Sequence, residues 1–302
     1  MSASAPGVLI LAGPTGSGKT DLAIALAREF DAEIVGADSR QIYRGMPIGT
    51  AAPSAEQLAA VRHHLVGFLD PHDAYSAARF ASDATRAIAA IHARGKRAIV
   101  AGGTGFYLRA LTGAVALESA YDAALRDRLA REARIHDSEF LHEWLRRRDS
   151  RRAAMLHPAD RYRVLRALEI ALAPAGAVRG DAAESLTLPA AGIPFVKVFL
   201  EIDSVALDAR ILRRTDAMLA AGLVEEAERV GTEAVAANAV GYPQALAYAR
   251  GWCTLAELRT LLVRATRRYA KRQQAWFRSE PQTHWLPAAA VAAAAREKLA
   301  WA

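Results

Sequence analysis

Cysteine, long apolar runs and a charged leader segment are scarce or absent in this chain of 302 residues. The single cysteine, Cys253, excludes a disulfide framework and a zinc cluster built on cysteines. No apolar run approaches the roughly 20 residues that a membrane-spanning helix needs. The first residues, M-S-A-S-A-P-G, contain no basic segment, and the apolar run behind them is too short for a signal peptide. We therefore expect a cytoplasmic protein without a membrane segment.

Acidic residues are outnumbered by basic ones, which gives a formal net charge of +7 and a pI near 9.8. An excess of this kind favours a polyanionic partner. The excess of arginine can also reflect a general bias in the composition of an alanine- and arginine-rich chain. Charge alone therefore does not decide between a polyanionic partner and a compositional bias. The length allows one large domain or a domain with an inserted piece.

A phosphate-binding pattern lies near the start of the chain. The stretch G-P-T-G-S-G-K-T fits G-x-x-x-x-G-K-[ST] at every fixed position, with a predicted strand at 8–12 before it and a predicted helix at 21–30 behind it. Its N–H groups and the helix N-terminus would form an anion site. The residues predicted to bind phosphate are Gly13, Pro14, Thr15, Gly16, Ser17, Gly18, Lys19 and Thr20. Lys19 would reach the outer phosphates, and the Thr20 hydroxyl would hold Mg²⁺. The pattern predicts a phosphate without specifying ATP.

Two further strand ends are expected beside this loop. Asp38 follows the apolar run 32–37, and ligand groups of open parallel sheets lie just beyond the carboxyl ends of strands. The third strand, 97–101, is followed by Gly102, Gly103 and Thr104. A typical P-loop ATPase has a metal-holding Asp at this position. The glycines instead favour close approach of a ligand or of another backbone segment, and they do not favour nucleotide hydrolysis.

A mostly helical insert is predicted between two parts of an α/β core. The composition changes from about residue 117, where arginines are interspersed with acids in segments of strong helical propensity. Ion pairs along a solvated helix face would explain many of these arginines. Residues 173–191 are rich in Gly, Ala and Pro and predict a mobile loop, and a strand returns at 194–203. We predict a core of residues 1–113 with 195–302 and an insert of 114–194.

The last long helix, predicted at 256–277, is strongly basic. Between Leu258 and Ser279 it contains no acidic residue. Its aromatic residues are Tyr269, Trp276 and Phe277, and its basic residues are Arg259, Arg264, Arg267, Arg268, Lys271, Arg272 and Arg278. Such a helix suits contact with a phosphate backbone and base stacking nearby, unless acids from elsewhere in the fold neutralise it.

Ordered motifs over nearly the whole chain resemble those of the bacterial tRNA dimethylallyltransferases, also called tRNA isopentenyltransferases. Besides the phosphate loop, the motifs are D-S-R-Q-I-Y-R-G-M-P-I-G-T-A-A-P, H-H-L, D-P, Y-S-A-A-R-F, G-G-T-G-F-Y, R-x-x-R-A-L-E, R-x-x-x-R-x-x-x-M, G-L-V-E-E, V-G-Y and Y-A-K-R-Q-x-x-W-F-R. The resemblance implies a P-loop NTPase-like parallel sheet flanked by helices, with a helical insert domain. It also implies transfer of a dimethylallyl group from dimethylallyl diphosphate to N6 of the adenosine 3′-adjacent to the anticodon of tRNA, with Mg²⁺ and without ATP.

The resemblance also implies roles for individual residues. Asp38 corresponds to the general base, Arg214 to the arginine that binds the diphosphate, and Thr104 and Arg126 to residues flanking the reaction channel. The further residues similar to tRNA-binding segments are Ser39, Arg40, Gln41, Tyr162, Arg163, Val164, Leu165, Arg166, Val240, Gly241, Tyr242 and Pro243. The sequence departs from the family pattern at Arg40, where many members have an apolar or small residue. It departs again at Pro243, where Lys or Arg is common, which weakens the prediction of a tRNA contact there.

Three other functions remain open from the residues alone. An adenylate isopentenyltransferase would use free AMP or ATP as acceptor, but it needs neither an arginine-rich insert nor a basic C-terminal helix. A small-molecule kinase would bind ATP at the loop, with Asp38 activating a hydroxyl. An RNA-binding nucleotide switch would need a metal-holding Asp at the third strand. The tRNA anticodon stem-loop and dimethylallyl diphosphate are the expected partners, and we expect a monomer.

Overall fold

The computed structural model describes residues 6–115, 122–173 and 186–302. The chain divides into two compact units, the first formed by 1–114 with 186–302 and the second by 115–185. Residues 186–194, which the sequence-based boundaries assign to the insert, lie in the first unit. The loop predicted at 173–191 falls largely on residues 174–185, outside the described residues.

A six-stranded sheet forms the centre of the first unit within the described residues. Its strands are β1 (Val8–Ala12), β2 (Ala32–Gly36), β3 (His63–His64), β4 (Arg97–Gly102), β5 (Phe195–Leu200) and β6 (Thr283–Leu286), in the order β3-β2-β4-β1-β5-β6. All the pairings are parallel. The predicted first strand pairs directly with the third, and the third with the second, which confirms the α/β architecture.

Helices flank the sheet and build the second unit. Within the described residues they are α1 (Lys19–Glu29), α2 (Pro47–Thr50), α3 (Ala55–Ala60), α4 (Ala77–Ala93), α5 (Gly105–Leu111), α6 (Ala123–Ile135), α7 (Ser138–Arg148), α8 (Ser150–Ala154), α9 (Arg161–Leu172), α10 (Ser204–Ala220), α11 (Leu223–Val230), α12 (Tyr242–Ala249), α13 (Leu255–Arg278) and α14 (Ala288–Leu299). A short 3₁₀ turn covers Val235–Asn238. None of the helices in this described part is long and apolar enough to cross a membrane.

The sheet is covered by apolar side chains because its parallel strands are buried on both faces. Leu9, Ile34 and Val198 pack with Leu26 of α1 and Val291 of α14 in one cluster. A separate cluster joins α11, α12 and α13 to the segment that follows β2. This cluster therefore attaches α11, α12 and α13 to the edge of the sheet where the phosphate loop begins.

The second unit is a small helical body with its own core. Leu125 of α6, Leu141 and Leu145 of α7, and Val164 and Leu168 of α9 form a buried cluster. Each of the helices described in this unit begins after an aspartate whose side chain accepts a backbone N–H of the first turn, and these N-caps are Asp122, Asp137, Asp149 and Asp160. N-caps of this type stabilise a helix start by about 1 kcal/mol each.

Two predicted boundaries differ from the structure in an informative way. Helix α1 begins at Lys19, inside the phosphate loop, two residues before the predicted start at Asp21. The segment 240–244, expected as a turn, contains the start of α12, and Gly241 with φ of 109° is the residue before it. Proline at the second helical position fits because its missing N–H would have no partner in the first turn.

Candidate active site and nucleic-acid surface

The phosphate loop connects β1 to α1 at the carboxyl end of the sheet. Gly16 and Gly18 have φ angles of 83° and 84°, a region that favours glycine. The N–H of Ser17 donates to the Pro14 carbonyl oxygen at 3.1 Å and closes the turn. Because α1 begins at Lys19, the positive end of its dipole adjoins the loop. Backbone geometry and helix position therefore both favour an anion here.

Lys19 is a cation without a full counter-charge. Its ammonium group lies 3.5 Å from the carbonyl oxygen of Pro14. Burial lowers the pKa of Lys19 to about 8, an effect that Asp38 opposes and Arg214 increases. Burial likewise lowers the pKa of Arg214, again against the attraction of Asp38. One carboxylate shared between two cations leaves the site with an excess of positive charge, which suits a diphosphate.

Helix α10 contributes two arginines to the loop region. Arg214 donates to the Thr50 carbonyl oxygen at 3.4 Å. Arg210, one turn earlier, donates to the Ser17 carbonyl oxygen of the phosphate loop at 2.6 Å. Arg210 is the first arginine of the R-x-x-x-R-x-x-x-M motif, for which only the second, Arg214, was predicted to bind the diphosphate. The four-residue spacing explains why both arginines face the same site.

Asp38 lies two residues beyond the end of β2, where it also shapes the following turn. Its Oδ1 accepts the backbone N–H of Arg40 at 2.9 Å and that of Gln41 at 3.4 Å. Its Oδ2 has no hydrogen bond to any residue in the described ranges, so one oxygen remains available to accept a proton. Asp38 is half-buried. One oxygen of the carboxylate therefore fixes its orientation, and the other is free to accept a proton from a substrate.

Thr104 connects the end of β4 to the turn that follows Asp38. Its hydroxyl oxygen accepts the N–H of Ser39 at 3.0 Å and lies 3.4 Å from the Ser39 hydroxyl oxygen. A Cβ on Gly102 would lie 2.1 Å from the carbonyl oxygen of Ala37. Of the two explanations left open for this glycine-rich strand end, close approach of another backbone segment therefore applies to Gly102.

Gln41 and the segment 46–51 form the wall beside Arg214. The Gln41 amide donates to the carbonyl oxygens of Thr50 at 3.1 Å and Ala51 at 2.9 Å. The opposite side of this segment is fixed by Glu226, whose carboxylate accepts the N–H groups of Ile48 at 2.9 Å and Gly49 at 2.7 Å.

The buried carboxylate of Glu226 also accepts the hydroxyl of Tyr242 at 2.7 Å. The motifs G-L-V-E-E and V-G-Y thus meet in one hydrogen-bonded cluster. The Tyr242 side chain is fully buried and bonded to Glu226, so a tRNA contact of this residue, which stays a prediction, would have to use its backbone. Of its predicted neighbours, Gly241 is buried, Val240 is half-buried and Pro243 is exposed.

Tyr269 of α13 faces the same group of charges, and sequence reasoning noted it only as an aromatic residue of the basic helix. Burial and the Asp38 carboxylate raise the pKa of Tyr269, while Arg40 and Arg214 oppose that shift. The phenol therefore keeps its proton and can act as a hydrogen-bond donor at this site. The sequence indicated a place for Tyr269 at this site only through its position in a basic helix.

The remaining predicted tRNA-binding residues lie in the second unit. Tyr162 is 82% exposed, whereas Val164 is 0% exposed and belongs to the helical core. A tRNA contact of Val164 therefore stays a prediction and would have to use its backbone, because the 3.6-residue periodicity of α9 places its side chain on the core face. Leu165 is half-buried. The three predicted arginines all form ion pairs inside this unit, Arg126 and Arg166 with Glu169, and Arg163 with Asp160.

The basic residues of α13 divide into three groups. Arg259 pairs with Asp216 at 2.6 Å, and Arg267 pairs with Asp208 at 3.0 Å, both acids being on α10. Acids from another helix therefore neutralise part of the basic run. A second group, Arg272 and Arg278, lies over the rings of Tyr269 and Trp285. The third group, here called the outer stripe, is exposed and has neither an ion pair nor a ring contact within the described part of the chain; it consists of Arg264, Arg268 and Lys271. Their spacing of four and three residues places them on one helix face.

A parallel α/β sheet with a glycine-rich loop between β1 and α1 defines a P-loop NTPase-like fold, and the end of β4 lacks the metal-holding carboxylate that is usual in hydrolytic members of this class. The family model for IPP transferase matches residues 41–280. A tRNA dimethylallyltransferase of Geobacter sulfurreducens is 40% identical over 92% of this chain and 91% of its own length. One of Citrifermentans bemidjiense is 45% identical, with coverage of 92% and 91%. The chain belongs to the tRNA dimethylallyltransferase family and is a transferase.

Solved structures give the same result. A tRNA isopentenylpyrophosphate transferase from Bacillus halodurans has a TM-score of 0.70 and 33% identity over 98% of this chain and 97% of its own. A eukaryotic dimethylallyltransferase acting on tRNA has a TM-score of 0.76 and 27% identity, with coverage of 94% and 74%. The predicted family and fold class are confirmed.

Proposed function

We propose that the protein transfers the dimethylallyl group of dimethylallyl diphosphate to N6 of the adenosine on the 3′ side of the anticodon in tRNA. The observation that carries this proposal is the group formed by Lys19, Arg214 and Asp38 beside the phosphate loop. Two cations suit a diphosphate leaving group, and the carboxylate suits a proton acceptor. The chain's family supports the same reaction.

The proposed step balances without a further reactant. The N6 amino group attacks C1 of the allyl group, the new N–C bond forms, and the C1–O bond breaks with its electron pair leaving on the diphosphate. Asp38 accepts the proton that N6 loses. Lys19 and Arg214 offset the negative charge that develops on the leaving oxygens, and such stabilisation is often the largest contribution to catalysis.

Mg²⁺ is proposed as the cofactor, and the donors of the site fit it. The part of the chain that the structure describes contains no group of three or more His, Cys, Asp or Glu side chains able to hold a metal. The Thr20 hydroxyl, in the first turn of α1, makes no hydrogen bond to another described residue. A cation held by one hydroxyl and by substrate phosphates is typical of Mg²⁺. When bound, Mg²⁺ would supply positive charge for the departing diphosphate.

Recognition of tRNA is proposed to use the outer stripe of α13 and exposed residues of the second unit. The target base lies in a stem-loop, and an enzyme reaches such a base only by extruding it from its stack. The exposed cations would supply salt-dependent affinity, and the pocket would select adenine. A cytoplasmic location and a monomeric enzyme are part of the same proposal.

The acceptor distinguishes this function from its closest competitor, an adenylate isopentenyltransferase. The purified protein is incubated with radiolabelled dimethylallyl diphosphate, Mg²⁺ and unmodified tRNA, AMP or ATP. We expect label in tRNA alone, at the adenosine that follows the anticodon. Label in AMP or ATP would instead identify a nucleotide acceptor. Phosphate transfer from ATP to a small molecule, with no allyl transfer, would identify a kinase.

A further inference from the structure

A single buried amide connects the basic helix α13 to the phosphate loop. Gln273 is 6% exposed, and its side chain makes two hydrogen bonds. Its Oε1 accepts the backbone N–H of Thr15 at 2.8 Å. Its Nε2 donates to the carbonyl oxygen of Gly103 at 3.0 Å. The amide is thus bonded to the loop on one side and to the end of β4 on the other.

Both bonds fix backbone groups that shape the proposed diphosphate site. The N–H of Thr15 belongs to the phosphate loop, and bonding it to Gln273 fixes the orientation of that peptide group. Gly103 immediately precedes Thr104, whose hydroxyl holds the turn after Asp38. A Cβ at Gly103 would lie 2.2 Å from the Gln273 amide nitrogen, so a side chain at this position would displace the amide from its contact. The contact is therefore a built part of the site.

The same helix carries the outer stripe. Lys271 lies two residues before Gln273, and Arg268 lies five residues before it, on the exposed face. An α-helix behaves as a rigid rod over this length, since its backbone is hydrogen-bonded throughout. A small shift or ordering of α13 on the solvent side would therefore act on the phosphate loop through Gln273.

We propose that Gln273 is a positioning residue that couples tRNA binding on α13 to diphosphate binding in the phosphate loop. This proposal rests on the proposed function. Coupling is reciprocal, so each ligand tightens the binding of the other by the same factor. The consequence is an enzyme that holds its diphosphate best when tRNA is already bound, which limits loss of the allyl group to water.

The first experiment measures the coupling directly. Isothermal titration gives the Kd of inorganic diphosphate with Mg²⁺ for the full-length protein, with and without a saturating unmodified anticodon stem-loop; this pair of ligands does not react. We expect the RNA to tighten diphosphate binding by roughly 5- to 100-fold in the unsubstituted protein. Gln273→Met, similar in length but without hydrogen bonds, should reduce that factor to about twofold or less. A factor unchanged by the substitution, or absent from the unsubstituted protein, overturns the proposal.

A second variant separates positioning from general support of the fold. In Gln273→Glu, an ionised carboxylate accepts from Thr15 but repels the Gly103 oxygen, whereas a protonated one restores both bonds. The kcat/KM of Gln273→Glu relative to the unsubstituted protein should therefore rise as the pH falls from 8 to 5.5. Taking this ratio at each pH cancels the titration of the other groups that face the loop, which are Lys19, Asp38, Arg214 and Tyr269.

Gln274→Glu is the matched control, because it introduces the same charge one residue further on, at a half-buried position with no hydrogen bond to a described residue. Its relative kcat/KM should stay flat over that pH range. A flat ratio for Gln273→Glu, or an equal rise in Gln274→Glu, contradicts the positioning role. Failure of the proposed function is a separate result, seen as no label transfer to tRNA by the unsubstituted protein.

Discussion

Charge is used differently at the edge of the sheet and on the outer face of α13. At the sheet edge, Lys19, Asp38 and Arg214 are half-buried, and the Asp38 carboxylate opposes the lowering of the pKa of both cations. On the outer face, Arg264 and Arg268 are exposed and have no ion pair within the described residues. Enclosed charges interact strongly and are screened little by salt, whereas exposed charges are weak individually and screened strongly. The first arrangement suits chemistry, and the second suits binding of a polyanion.

The comparison also shows that a basic run in sequence is not the same as a basic surface. Arg259 and Arg267 belong to the same uninterrupted run as the outer stripe, yet α10 supplies an acid to each of them. In the second unit, Arg146 and Arg147 share Glu143 within their own helix. Local ion pairs of this kind on a solvated helix face were one explanation for the many arginines of the insert. Only the fold distinguishes neutralised cations from available ones.

The largest effect is expected at the half-buried carboxylate of Asp38. Asp38→Asn keeps an oxygen that can accept the N–H groups of Arg40 and Gln41, and it removes the group that accepts a proton. We expect single-turnover transfer to tRNA to fall on the order of 10²- to 10⁴-fold, the usual contribution of a general base. Affinity for tRNA should change less, because phosphate contacts dominate it.

Asp38→Ala controls for the turn, since it removes both functions of the carboxylate. The two variants should lose similar turnover, while Asp38→Ala alone loses thermal stability. Rescue of Asp38→Asn by excess Mg²⁺ would indicate a metal-holding role. Near-normal transfer by the folded Asp38→Asn enzyme would contradict the base role and indicate that water or the leaving diphosphate accepts the proton.

The second effect is expected at Glu226, a buried carboxyl group that stabilises the fold. Glu226 accepts three hydrogen bonds, from Ile48, Gly49 and Tyr242. Glu226→Gln places an amide donor opposite another donor, so we expect a loss of about 1–3 kcal/mol in the free energy of unfolding. Urea denaturation with an unchanged m-value would measure it. Glu228→Gln, an exposed change on the same helix, should stay within about 0.5 kcal/mol. Equal stability of the two variants would contradict this cluster.

The sheet and the phosphate loop could be predicted from sequence because their signals are local. An apolar run, a glycine loop and a helical pattern follow one another within 30 residues, and β2 and β4 carry the same kind of signal. The supporting contacts have no local signal. Glu226 reaches Ile48 across 178 positions, and Gln273 reaches Thr15 across 258. The burial of Tyr242 depends on such distant partners. Its V-G-Y motif could therefore be matched to the family from the sequence, but the structural role of the tyrosine could not be predicted.

The third effect is a pH dependence of diphosphate binding, which follows from the lowered pKa of Lys19, about 8. Above pH 8 the amine of the free enzyme is neutral, and binding of a diphosphate then requires uptake of a proton. The affinity for dimethylallyl diphosphate, measured without acceptor, should be flat below pH 8 and fall by about tenfold per pH unit above it. Lys19→Arg keeps its charge throughout, so its affinity should not show this fall. Parallel curves for the two proteins up to pH 9.5 would contradict the lowered pKa.

The smallest effect per residue is expected on the outer face of α13, where the comparison of paired and unpaired cations can be tested directly. Arg264→Ala/Arg268→Ala and Arg259→Ala/Arg267→Ala remove the same formal charge from the same helix. Each lost phosphate contact reduces the slope of log K against log salt by roughly 0.7–0.9. The first double variant should therefore reduce the slope for tRNA binding by about 1.5, and it should leave diphosphate affinity nearly unchanged.

The second double variant is the control for that measurement, because its arginines already have partners on α10 and each exposed ion pair contributes little to stability. Its slope should stay close to that of the unsubstituted protein in filter binding between 50 and 200 mM salt, a range over which nucleic-acid affinities change strongly. Equal slopes for the two double variants would mean that net charge alone attracts tRNA. In that case the division of α13 into neutralised and available cations would have no functional meaning, and the tRNA surface would have to be sought in the second unit.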